Sequence, residues 1–181
     1  MFVDPLYWVF ESELPNRLCD QIIEEGKKMS PSEGVAGDKV DKSVRDSGVC
    51  FFRNPSWVGG LCEHYVRVAN RSSDWNFDLK VVQDPQFTIY ESGQHYTWHQ
   101  DVIGKGNVRK LSMVIQLTDP NEYEGGKLEL KNNVGEEVVC QDFMARGSVI
   151  VFPSVTWHRV TPITKGRRYS AVAWAVGPEF K

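Results

Sequence analysis

The sequence predicts a mainly β protein with flanking helices, built as a sandwich or jelly roll. Two observations carry this expectation. From about residue 79 onward, eight short runs of β-forming residues follow one another, most of them separated by turn signals such as Ser92-Gly93, Gly125-Gly126, Arg146-Gly147 and Lys165-Gly166. Before residue 79, two apolar stripes recur at helical spacing. Many short strands with such punctuation suit a sandwich or jelly roll, with the helices packed on its outside. At 181 residues the chain fits one domain, with helical support over about 1–78 and the β core over about 79–176.

Taken in order, residues 6–10 are apolar and aromatic and predict a short strand. Ser12 then stands as an N-cap for a helix with Pro15 in its first turn, where proline is tolerated. Leu14, Leu18, Ile22 and Ile23 form its buried stripe, and Gly26 with the lysines after it marks its end. Residues 29–48 have no period and read as a long loop, either a lid over a substrate site or a mobile connection. Arg45 and Asp46 at its end face substrate or form a solvated ion pair. Residues 49–52 predict a strand. Ser56 caps a second helix whose inner stripe is Val58, Leu61, Cys62, Tyr65 and Ala69, leaving His64 outside. The β runs then fall at 86–91, 97–102, 111–117, 127–130, 136–140, 148–152, 158–161 and 168–176.

Composition narrows the function classes. A formal net charge of −3, with Lys and Arg scattered, offers no basic stripe for nucleic acid. Cys19, Cys50, Cys62 and Cys140 show no paired metal-binding spacing and read as free thiols in a reducing compartment. No apolar run approaches the length of a membrane helix, and the first residues lack the regions of a signal peptide. The expectation is a soluble, cytoplasmic protein.

The chemistry centres on Tyr96-Thr97-Trp98-His99-Gln100-Asp101. In a strand, a spacing of two points His99 and Asp101 to one face. His158, at the start of a later strand-like run, supplies a third ligand. Two histidines and one carboxylate make the facial triad of non-haem Fe(II) oxygenases, which leaves metal positions open. Arg168 lies ten residues after His158, where a buried guanidinium would fork onto a carboxylate. An Fe(II) enzyme that uses 2-oxoglutarate needs such an anchor. Tyr90, Tyr96 and Trp98 line the approach, and Trp98 and Arg45 are the candidates for touching substrate. His95, four residues before His99, reads as structural or surface.

A family resemblance rests on three blocks. Tyr90-Glu91-Ser92-Gly93-Gln94-His95-Tyr96-Thr97-Trp98-His99-Gln100-Asp101 resembles the Y-x-x-G-x-x-Y-x-x-H-x-D block of prolyl-4-hydroxylase-like 2-oxoglutarate/Fe(II) dioxygenases. Arg109-Lys110-Leu111-Ser112, Leu117-Thr118-Asp119-Pro120 and Tyr123-Glu124-Gly125-Gly126-Lys127-Leu128 look like the middle block. Gly147-Ser148-Val149-Ile150-Val151-Phe152-Pro153, with His158-Arg159-Val160 through Arg168-Tyr169, is similar to the closing block. The likeness is greatest to the bacterial PKHD-type hydroxylase branch and covers about residues 85–176.

The resemblance implies a double-stranded β-helix (jelly roll, cupin-like) core with iron at its open mouth. It implies His99, Asp101 and His158 as ligands and Arg168, rather than Arg167, as the 2-oxoglutarate anchor. Tyr90, Tyr96 and Trp174 match aromatic positions lining the co-substrate pocket, although plain core packing explains them too. Some relatives place a tyrosine before the leucine of the middle block; here Ile115-Gln116-Leu117 has none, so either another polar group assists Arg168 or its grip is weaker. The implied cofactors are Fe(II), 2-oxoglutarate and O2, with ascorbate as reductant. The implied reaction is hydroxylation of an unactivated C–H bond, on a prolyl residue of a peptide or protein, or on a free amino acid or small metabolite. Demethylation of nucleic acid and a non-catalytic binding module are the competing readings.

Overall fold

The computed structural model describes residues 4–35, 39–102 and 105–180. Its strands in chain order are β1 (Trp8–Phe10), β2 (Ser32–Glu33), β3 (Arg45–Asp46), β4 (Gly48–Phe51), β5 (Val81–Val82), β6 (Gln86–Tyr90), β7 (His95–His99) and β8 (Asn107–Gln116). There follow β9 (Tyr123–Gly125), β10 (Leu128–Lys131), β11 (Glu137–Val139), β12 (Val149–Pro153), β13 (His158–Val160), β14 (Ile163–Gly166) and β15 (Arg168–Pro178). Two helices, α1 (Asn16–Lys27) and α2 (Trp57–Ser72), precede most of them.

The strands form two facing sheets. The larger has eight strands in the order β1-β12-β8-β15-β6-β4-β2, with β5 joined to β15. The smaller runs β11-β10-β13-β7-β3, and β14 with β9 adds a two-stranded ribbon. Alternation on β8 explains the layering. Leu111, Met113 and Ile115 pack with α1 and α2 residues such as Ile22, Val58 and Cys62 on one face of the larger sheet. Val114, on the other parity, packs with Leu128, Leu130 and Phe152 between the sheets. All four cysteines are buried and free.

The N-terminal region differs from expectation in three ways. Ser12 is not a cap: it has φ +49°, and its backbone N–H donates to Ser148 Oγ at 3.0 Å. The helix starts after Pro15, and Leu14 lies before it, its N–H donating to Gly147 O at 3.0 Å. Gly26 sits in the last turn of α1, against Phe87, and the helix ends at Lys27 as expected. The expected loop over 29–48 contains β2 and β3, which pair with β4 and β7; positions 36–38 of it fall outside the described residues. By contrast, Ser56 caps α2 through its side chain, which accepts from Gly59 N–H at 3.1 Å, and His64 is exposed.

Gly26 offers a test of this packing. A Cβ there would lie 2.5 Å from the buried Phe87 ring. Alanine gains about 1 kcal/mol of helix propensity, but overpacking a filled core costs about 1–3 kcal/mol. Gly26→Ala is therefore expected to lower the melting temperature, and a raised one would show that the α1–sheet seam has room.

Candidate active site

β7 and β13 are antiparallel neighbours, and His99 and His158 are directly paired across them. Their rings tilt toward one another at a centroid distance of 4.0 Å. Each ring is fixed by the same local device: His99 Nδ1 lies 2.8 Å from Thr97 O, and His158 Nδ1 2.9 Å from Thr156 O. With a carbonyl as partner, Nδ1 carries the proton, and Nε2 keeps its lone pair for the cavity. Asp101 lies just beyond β7, not within the strand as the spacing predicts. Its N–H donates to Ser154 O at 3.0 Å, which turns the carboxylate back toward the imidazoles.

The Asp101 carboxylate is held from the larger sheet. Its Oδ2 accepts from Ser112 Oγ at 2.7 Å and from Trp174 Nε1 at 2.8 Å. Oδ1 lies 3.8 Å from His99 Nε2, and Oδ2 3.4 Å from His158 Nε2. One ligand atom from each of the three residues fits within 4.8 Å of the others. Two neutral imidazoles and a carboxylate, with no thiolate among them, suit a divalent first-row ion such as Fe(II).

Electrostatics keep this set ready for a cation. Burial, then the neighbouring His158, pushes the His99 imidazole down to about 3. For Asp101, burial alone would raise the carboxyl, but His158, His99 and the Trp174 N–H together hold it well below the usual carboxylate range.

Arg168, at the head of β15, is 2% exposed, and its Nε donates to Gln116 Oε1 at 2.9 Å. Gln116 donates in turn to Tyr123 Oη at 2.9 Å and to Thr118 O at 2.9 Å. Gln116 thus occupies the place where a tyrosine was missed and orients the guanidinium itself. Arg167 points out to Glu91 and Tyr169. Arg168 and the three candidate ligands line one cavity of about 210 Å³.

The other candidates are distributed as follows. Tyr90 and Tyr96 line the cavity, with Tyr96 stacked on His99 at 3.5 Å. Burial raises both phenols above their ordinary range. Trp174 lines it too, but its N–H is committed to Asp101, so it positions a ligand residue rather than reaching for co-substrate. Arg45 is buried and lies 4.7 Å over the Tyr96 ring, which overturns the solvated ion pair expected of it. Trp98 is not brought to the cavity: its indole lies between Lys131 at 4.7 Å and Arg159 at 4.6 Å. His95 contacts the backbone oxygens of Ser43 and Gly93, away from the ligand set.

Three residues were missed as site residues: Ser112, Gln116 and Arg109. Ser112 and Gln116 share the inward parity of β8, a signal the alternation carried. Arg109 has the opposite parity. It reaches the cavity because the β8–β15 register slips between Ala175 and Val176, which pair with Leu111 and Arg109. Such a bulge re-aims side chains beyond it, and nothing in the sequence announces it.

Comparison with known proteins follows this geometry. The class it defines is a jelly roll with a two-histidine, one-carboxylate centre at its mouth. Residues 85–176 match the 2OG-Fe(II) oxygenase superfamily, and the chain belongs to that family. A PKHD-type hydroxylase of Cupriavidus metallidurans is 36% identical over 102 residues, 52% of this chain and 43% of that protein. Another, of Thermosynechococcus vestitus, is 39% identical over 100 residues, with coverage of 52% and 43%. The match thus spans less than half the length of these curated relatives. Among solved structures, a prolyl-4-hydroxylase of Pseudomonas putida superposes with TM-score 0.72 at 20% identity, over 94% of this chain and 91% of that one. A prolyl hydroxylase of Trichoplax adhaerens, in complex with a hypoxia inducible factor peptide fragment, gives TM-score 0.77 at 15% identity, over 95% and 84%. Among the described residues no helix is long and apolar enough to cross a membrane.

Two outcomes follow from the ligand set. Trp174→Phe removes one donor to Asp101, and loss of such a partner costs about 10–100-fold in metal affinity; calorimetry with Mn(II) is expected to show that weakening while the fold persists. The unfolded chain takes up a proton on His99 near 6.5, whereas the folded, metal-free chain does so near 3. The unfolded state then binds more protons across that window, so stability falls as pH drops from 6.5 toward 3. The depressed Asp101 carboxyl acts in the same direction at the acid end. Denaturant midpoints of metal-free protein that stay flat over this range would contradict the assignment.

Proposed function

We propose that this protein is a dioxygenase that hydroxylates an unactivated C–H bond, converting 2-oxoglutarate and O2 to succinate and CO2 as one oxygen atom enters the substrate. The observation that carries this reading is the convergence of His99, Asp101 and His158 in a cavity that also holds a buried arginine, Arg168, without a carboxylate partner among the described residues. The names of the PKHD-type relatives point the same way. A ferrous ion held there supplies the activation of O2, with ascorbate as a reductant that keeps it ferrous.

The chain's own residues would provide position, charge and dryness. His99 and His158 present Nε2, their tautomers fixed by Thr97 and Thr156. Asp101 presents one oxygen while Ser112 and Trp174 hold the other. Arg168, aligned by Gln116, would fork onto the far carboxylate of 2-oxoglutarate. Leu128, Phe152, Val160 and Val172 on the cavity wall exclude water from the reacting centre. Substrate would enter past Tyr96 and Arg45; it is a prolyl residue of a peptide or protein, as in the prolyl hydroxylase neighbours, or a free amino acid or small metabolite. The protein acts away from membranes and nucleic acid, in the cytoplasm.

Two measurements test this. Anaerobic Fe(II) and 2-oxoglutarate are expected to give a weak visible charge-transfer band, and air then to yield succinate; a protein that gave neither would be a binding module. Charged hydrogen bonds contribute about 1.5–3 kcal/mol, so Arg168→Ala is expected to raise the apparent KM for 2-oxoglutarate at least about tenfold with metal still bound. The same effect from Arg167→Ala instead would refute the anchor.

A further inference from the structure

The proposed reaction leaves two positive charges in the cavity unexplained. Arg45, Arg109 and Arg168 all line it, whereas Asp101 is its one lining carboxylate among the described residues. A ferrous ion and Arg168 together are balanced by Asp101 and the two carboxylates of 2-oxoglutarate. Among the described residues, Arg45 and Arg109 form no ion pair of their own, and the Asp101 charge that Arg109 feels is already matched by the metal and Arg168. Most other arginines of the chain do find one: Arg53 with Asp84, Arg67 with Glu63, Arg146 with Asp20, Arg159 with Glu129 and Glu137, and Arg167 with Glu91.

Both guanidiniums are held in place by neutral groups. Arg45 is 7% exposed, its Nε donating to Ser47 Oγ at 3.0 Å and Nη1 to Val35 O at 3.1 Å. Arg109 is partly buried, its Nε donating to Gln83 Oε1 at 2.8 Å and its plane 3.8 Å over the Trp174 ring. Aromatic faces and neutral oxygens fix a guanidinium without neutralising it, and each has N–H groups without a partner among the described residues. The two lie near enough to repel one another, and Arg45 lies against the face of Tyr96, which stacks on His99. Burying two uncompensated cations costs free energy, and here the register slip on β8 actively turns Arg109 inward.

Position separates this pair from the co-substrate anchor. On β8, Arg109 and Gln116, the partner of Arg168, stand at opposite ends, about 20 Å apart along an extended strand, with Ser112 and the Asp101 carboxylate between them. A ligand carboxylate on Arg168 therefore leaves Arg109 free beyond the ligand residues, with Arg45 over the Tyr96 ring to reach toward it.

We infer that the substrate carries a carboxylate, and that Arg45 and Arg109 bind it apart from the co-substrate carboxylate on Arg168. This selects a free amino acid over a prolyl residue inside a peptide, whose own carboxyl is tied up in an amide. The inference rests on the dioxygenase reading above.

The test is calorimetry on the full chain loaded with Mn(II) and saturated with 2-oxoglutarate, which separates the two claims. The probes are the twenty free amino acids, proline among them, and their α-amides. At least one free acid is expected to bind as a second ligand, about 10- to 100-fold more tightly than its amide. Arg109→Gln is expected to remove that preference with 2-oxoglutarate affinity kept within about twofold, and Arg45→Gln to do the same. Arg109 is partly exposed and carries the test if the Arg45 variant does not fold. Amides that bind as well as acids, no second ligand among the acids, or a preference that survives Arg109→Gln would each overturn the inference. Failure of 2-oxoglutarate itself to bind would instead overturn the dioxygenase reading beneath it.

Discussion

The structure depends on one carboxylate held from two directions. Asp101 belongs in sequence to the smaller sheet, following β7, but Ser112 and Trp174 of the larger sheet grip its Oδ2. The jelly roll brings those sheets close enough for this at the cavity mouth. Removing either donor would leave a buried charge under-satisfied, a far larger penalty than a lost surface contact. The same carboxylate faces the two imidazoles across the space a metal would fill, so ligand geometry and sheet-to-sheet packing are a single constraint. Residues that never touch a metal, such as Trp174, are therefore as much part of the site as those that would.

Rigidity of the site comes from repetition of a simple local device. Each histidine turns back onto the carbonyl two residues before it, and each does so at the end of a strand where the backbone is free to leave the ladder. Arg168 is controlled differently, by a chain of neutral hydrogen bonds from Thr118 and Tyr123 through Gln116. A neutral partner aligns the guanidinium but leaves its charge available. A carboxylate in the place of Gln116 would compete with any anionic ligand.

How much of this was legible in the sequence follows from periodicity. The eight short β runs after residue 79 announced themselves by β-forming residues and turn signals, and each appears within a few residues. The strands that were not foreseen, β2, β3, β5, β9 and β14, are two to four residues long and lie in stretches that read as loop, turn or connection. Spacing joined His99 and Asp101, the family resemblance added His158 and Arg168 to them, and Gln116 and Ser112 share a readable parity. Arg109 did not follow the period, because a bulge reversed its side. Tyr96 and His99, three residues apart, share the cavity for the same reason: the β7–β13 register slips between them. Trp98 shows the converse error, an aromatic near the ligands that alternation sends to the outer face. Ser12 failed as a cap because tertiary contact with Ser148 held it in a left-handed conformation.

The most direct measurement is a crystal structure with Mn(II) and 2-oxoglutarate. The metal is expected on His99 Nε2, one oxygen of Asp101 and His158 Nε2, with the distal carboxylate of 2-oxoglutarate on Arg168. A metal bound elsewhere, or a co-substrate whose distal carboxylate lies on Arg45 and Arg109, would contradict it.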